Sequence, residues 1–254
     1  LGNVGTTSSA VGVTTPGTPP PSDIISVNFY AYGGLPAGDR DAVTLEADES
    51  AGLGAWNTAG WENYLVPWGL SSPATPVGIA SGLGSTATLT LNDVRNGGPH
   101  VWDAPHSLLS GDGNGDLMDG HCNATEDPGD QSSIFDMTVS GIPFGSYDVI
   151  VYMGANAAQY GDGAAKYVFN GGSEQDFTLS PGAFAAFAEI ADATTPGNYV
   201  LFQNVTGSSF TLKVWGNGFN HIGPTGFQIA SAGSTSDADP PTPNAATFAV
   251  SPYA

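Results

Sequence analysis

Apolar and polar residues alternate with a period of two in several short stretches of this chain, the mark of a β-strand with one buried face. From Ile24 onward Ile25, Val27, Phe29 and Ala31 alternate with Ser26, Asn28 and Tyr30. Phe135, Met137 and Val139 alternate in the same way with Asp136, Thr138 and Ser140. Gly141-Ile-Pro-Phe-Gly145 then delivers the chain into Val149-Ile-Val-Tyr152, an apolar, β-branched run that fits a central strand buried on both faces. The period puts Tyr147, Val149 and Val151 on one face of that strand and Ile150 and Tyr152 on the other. The short Pro/Gly link predicts that the two strands form a hairpin.

Similar patterns, each bounded by Gly or Asn, predict strands at 86–91, 166–170, 175–179, 199–205, 209–215 and 227–230. About nine or ten short strands at such spacing predict an all-β fold, an antiparallel two-sheet sandwich of jelly-roll-like type. Residues 183–191 are the best helix candidate, closely bounded by Gly and Pro. Three regions follow: an extended Thr/Pro-rich arm over 1–22, the sandwich domain over 23–232 and a Pro-rich tail over 233–254. Val11 and Val13 share a face of the extended arm, as Phe248 and Val250 do in the tail. Either segment is suited to add a strand to an open sheet edge of another copy.

Composition narrows the picture. The chain has 254 residues, of which 36 are Gly and 19 Pro, too many helix breakers for a helical fold. Four basic residues stand against 24 acidic ones, a net charge of −20, which would repel nucleic acid and anionic membrane surfaces. No run approaches the roughly 20 apolar residues that membrane insertion requires. Cys122 is the only cysteine, so the fold rests on no internal disulfide. Scarce Lys and Arg with abundant Thr, Ser and Gly suit an extracellular or cell-surface site, and the lack of a leader pattern at Leu1 implies a signal peptide already removed.

Candidate chemistry is sparse. Asp112, Asn114, Asp116 and Asp119 place oxygen ligands on a Gly-rich loop, a pattern that suits calcium, against the plainer reading of a solvated acidic turn. Leu117 and Asn123 stand where an EF-hand needs Gly and Glu, so the loop is not an EF-hand. Trp56, Trp61, Tyr64 and Trp68 form an aromatic group that either packs into the sandwich or stacks on sugar rings. Asn123-Ala-Thr125 and Asn204-Val-Thr206 match the N-glycosylation triplet. His100, His106, His121 and His221 do not fall at metal-ligand spacings. No nucleophile elbow, phosphate loop or zinc-protease motif occurs, so no enzyme is expected. A glycoside hydrolase, needing only two facing carboxylates, stays open.

Ile25-Ser-Val-Asn-Phe29, Gly54-Ala-Trp-Asn57, Gly115-Asp-Leu-Met-Asp-Gly120, the segment 141–152 and Gly223-Pro-Thr-Gly-Phe-Gln-Ile229 occur in an order that resembles secreted β-sandwich domains of uncertain function from planctomycete and verrucomicrobial bacteria. The resemblance covers roughly residues 24–231. It implies a jelly-roll-like sandwich and export, and it supplies no catalytic residues. The expected function is a structural subunit of an extracellular fibre or surface assembly, a homopolymer formed by tail or strand exchange. The alternative is a carbohydrate-binding module or lectin-like adhesin, with carbohydrate as its partner.

Overall fold

In a computed structural model of the chain, the described residues are 24–30, 44–66, 74–81, 85–92, 101–103, 113–122, 124, 134–155, 163–180, 185–217 and 222–232. They form a two-sheet sandwich. One sheet has the order β11 (Tyr199–Thr206), β8 (Ser146–Ala155), β13 (Ile222–Ser231), β1 (Ile24–Tyr30) and β2 (Glu62–Leu65). The other runs β10 (Gln175–Thr178), β9 (Ala164–Phe169), β12 (Ser209–Gly216), β7 (Phe135–Ser140), β4 (Thr88–Leu91) and β3 (Val77–Gly78). β5 (Val101–Asp103) and β6 (Gly120–Cys122) make a small third sheet, with the one-turn helix α1 (Gly113–Leu117) between them in the chain.

Between the sheets lies the main core. Val27 and Phe29 of β1, Phe135, Met137 and Val139 of β7, Tyr147, Val149 and Val151 of β8, and Phe227 of β13 are all buried there. Phe29 meets Phe135 edge-on at 5.5 Å and Phe210 meets Phe227 at 6.1 Å, so rings cross the gap between the layers. Each such side chain contributes roughly 1.5–3 kcal/mol when fully buried. The even-numbered face of β8 is buried too. Ile150 and Tyr152 join Ile24, Tyr199 and Ala230 in a second apolar cluster on the outer face of the five-stranded sheet, covered by Leu45, Ala51, Trp56, Trp61, Leu117 and Met118.

That covering layer explains why β7 and β8 are not the hairpin that their short link suggests. β7 belongs to the six-stranded sheet and β8 to the five-stranded one, so residues 141–145 cross from layer to layer. A strand apolar on both faces needs a cover on each, which β8 finds only where the irregular segments pack. β11 and β12 are likewise consecutive and in different sheets, a connectivity of jelly-roll-like type. The sequence places a turn at Gly171-Gly172 between the strands at 166–170 and 175–179, and a hairpin does form there, joining β9 to β10 through Asn170 and Gly171, whose φ values of 50° and 66° are those of a tight primed turn.

Two further expectations give way. β1 pairs with β2 in parallel, against the otherwise antiparallel ladders of the two main sheets. Of the helix candidate, residues 185–190 are not helical. Ala188 N–H donates to Asn198 Oδ1 at 2.9 Å, Ile190 N–H donates to the Tyr199 carbonyl at 2.8 Å, and Phe187 packs on Tyr152 at 5.1 Å. Those tertiary contacts outweigh the small intrinsic helix preference of alanine.

Candidate functional site

The aromatic group divides between the two cores. Trp56 and Trp61 lie in the outer layer, where Trp61 Nε1 donates to the Thr58 carbonyl at 2.9 Å. Tyr64 lies between the sheets, edge-on to Phe29 at 6.0 Å. Each of the three is only 6% exposed, so they share no open face on which a sugar ring could stack. Trp68 lies outside the described residues.

Of the acidic loop, Asp112 lies outside the described residues, while Asn114 and Asp116 sit on α1 and Asp119 just beyond it. Oxygens two residues apart converge from a loop, but successive helical residues are about 100° apart and i, i+2 pairs do not face each other. Asn114 Oδ1 accepts the Gly52 N–H at 2.8 Å, which ties α1 to the covering layer. Asp119 is buried beside β6. Among the described residues no three His, Cys, Asp or Glu side chains converge on a point that a cation would fill.

Beneath the covering layer runs a buried polar network that the alternation pattern did not reveal. Tyr152 Oη donates to Gln228 Oε1 at 2.6 Å and accepts the Leu53 N–H at 3.0 Å. Gln228 Nε2 donates to Ser26 Oγ at 2.9 Å and to the Trp56 carbonyl at 2.8 Å. Three strands are thereby joined to the irregular segment 51–57, whose backbone groups would otherwise be buried unpaired. Burial pushes the Tyr152 phenol well up, outweighing the opposite effect of the Leu53 N–H, so it stays a neutral donor.

The two lateral sides of the sandwich differ. Because Phe29 of β1 meets Phe135 of β7 and Phe202 of β11 meets Phe169 of β9, the two strand orders run in the same direction. β11 and β10 therefore share one side, and β2 and β3 share the other. On the β11/β10 side Phe169 stacks on Phe202 at 3.8 Å with 8° between the rings, and Tyr167 meets Phe202 edge-on at 5.6 Å. Parallel bridges from Leu179 to Gly197 and from Glu189 to Tyr199 add backbone pairing there. This side is sealed.

On the β2/β3 side, no described residue pairs with the outer edge of either strand. Leu65, 37% exposed, lies on β2 and Val77, 45% exposed, on β3. Val77 pairs with Leu89, a fully buried core residue, so both side chains point toward the inter-sheet core. Val77 therefore marks an open rim of that core. Neither residue stands out in the sequence, although successive residues of a strand face opposite sides, so Tyr64 and Leu65 cannot both face one core.

Val11, Val13, Phe248 and Val250 lie outside the described residues. Ile24 pairs with Ala230, and Ala232 N–H donates to the Ser146 carbonyl at 2.9 Å, so Ile24 and Ala232 lie at one end of the sandwich on neighbouring strands. Asn204 is exposed in a bulge of β11, and its N–H donates to Asp148 Oδ1 at 2.7 Å. Asn123 lies outside the described residues. No family model matches this chain, and no curated protein matches it.

Proposed function

We propose that this protein is a structural subunit of an extracellular fibre or surface assembly, polymerising when a tail of one copy adds a strand at the β2/β3 rim of the next. The observation that carries this reading is the asymmetry of the sandwich. Both large apolar side chains found exposed among the described residues, Leu65 and Val77, lie on edge strands of the same lateral side. Soluble proteins usually blunt such edges with charge or cover.

An added strand would satisfy the backbone groups of the rim and bring an apolar side chain over Val77. The alternation of Val11 with Val13, or of Phe248 with Val250, supplies side chains at the spacing one strand face requires. Ordering a dozen residues costs on the order of 1–2 kcal/mol each in backbone entropy, so scattered surface contacts would not hold a tail, whereas a paired strand with buried valines would. The carbohydrate-binding alternative draws no support from the three buried aromatic rings.

Deleting 1–22 and, separately, 233–254 tests the reading, with filaments scored by negative-stain microscopy and the fold checked by circular dichroism. One deletion is expected to abolish filaments and so identify the donor. Val77→Lys with Leu65→Lys is expected to abolish them from the acceptor side. Filaments that survive all three changes would sink the proposal.

A further inference from the structure

The sealed side of the sandwich carries the second feature that the function above does not use. Asn204-Val205-Thr206 lies at the end of β11, where the register against β8 shifts between Phe202 and Val205. Val205 is buried, while Gln203, Asn204 and Thr206 are exposed. The bulge holds Asn204 at φ 55°, a conformation that Asn adopts more readily than most residues. Asn204 is anchored through its backbone, whose N–H donates to Asp148 Oδ1 at 2.7 Å, and this leaves its exposed carboxamide on the solvent side of the strand.

We propose that Asn204 is an N-glycan acceptor. The triplet by itself occurs often by chance, but most asparagines that match it by chance need not be exposed with their threonine and bulged away from the ladder. Here all three conditions hold together. The co-reactant is a lipid-pyrophosphate-linked oligosaccharide. Asn204 Nδ2 bonds to the anomeric carbon, the C–O bond to the pyrophosphate breaks with its electron pair leaving on the lipid carrier, and the displaced Nδ2 proton goes to solvent. Atoms and charge balance, and nothing is oxidised or reduced. A glycan there is bulky and solubilising. It would stand on the β11 side, opposite the β2/β3 rim, and add bulk to a side that is already sealed, which leaves that rim for edge pairing. This consequence rests on the assembly reading; the acceptor assignment does not.

The test is export of the full chain from a eukaryotic secretory host with a Gly-Asn-Ala-Thr tag appended, scored only on chains whose tag carries glycan. Peptide mapping after enzymatic deglycosylation in heavy-oxygen water should find Asn204 converted to labelled Asp in most chains. Thr206→Ala should remove the label and Thr206→Ser should keep it. Asn204→Asp, which suits the same φ, should remove the glycan mass while circular dichroism stays unchanged. An unlabelled Asn204 in folded chains with a glycosylated tag overturns the assignment, whether or not those chains form filaments.

Discussion

Tyr152 shows how a single side chain serves two roles in this fold. Its ring lies in the outer apolar cluster, 6.1 Å from Trp61, while its hydroxyl joins Leu53 to Gln228. Tyr152→Phe keeps the ring and strands a buried N–H and a buried carbonyl oxygen, so a loss of about 1–3 kcal/mol is expected in urea unfolding. Asp192 is a surface counterpart. The N–H groups of Thr194 and then Thr195 donate to its carboxylate, followed by their hydroxyls, and together they lower its pKa from 3.8 to about 2. A depressed carboxylate stabilises the fold above its unfolded pKa and loses that contribution as pH falls through its folded value. The Asp192 turn should therefore stay intact at pH 4 and titrate near pH 2 in a carboxyl-carbon NMR series. A midpoint at the ordinary 3.8 would show that the turn does not persist in solution.

At the scale of elements, β13 is the strand on which the layers converge. It pairs with β1 and β8 and packs under β6, yet its Gly223-Pro-Thr-Gly226 start has the composition of a turn, and the alternation pattern marks a strand only from Phe227. Close approach explains the composition. A Cβ at Gly223 would overlap the carbonyl oxygen of Cys122, and at Gly226 one would sit 2.5 Å from the Val27 carbonyl oxygen. Gly223→Ala must then push β6 off the sheet. It is expected to lower stability by several kcal/mol, at the severe end for single substitutions, read as a fall in the thermal midpoint. The same displacement should expose Cys122, whose burial now pushes its thiol well up and shields it, so faster alkylation in the variant is a second readout.

For the whole molecule, charge and edge geometry act against each other. Copies at net −20 repel, but salt screens exposed charges beyond about 8 Å at physiological ionic strength, while strand pairing and apolar contact act at shorter range. Filament growth should therefore quicken as sodium chloride rises from 10 to about 150 mM, followed by light scattering. Growth that slows with salt would mean that attraction between opposite charges drives assembly instead.

Period-two alternation and turn glycines were enough to assign the strand class, the two faces of β8 and, to within a residue, the turn between β9 and β10, because burial and turn sterics act on residues adjacent in the chain. Which strands become neighbours was decided elsewhere. Residues 141–145 have the composition of a hairpin turn and serve as a crossover, since the choice depends on where the cover for Ile150 and Tyr152 comes from, and Trp56 and Trp61 are about a hundred residues away. The same holds for the candidate site. Asn114 and Asp116 have the spacing of a cation loop, but on a helix residues two apart point to different sides, while Leu65 and Val77 look ordinary until the sheet orders place both on one side whose outer edges no described residue pairs. Local pattern carries burial and turn propensity; edges exist only once strands have paired, and pairing is a property of the tertiary fold.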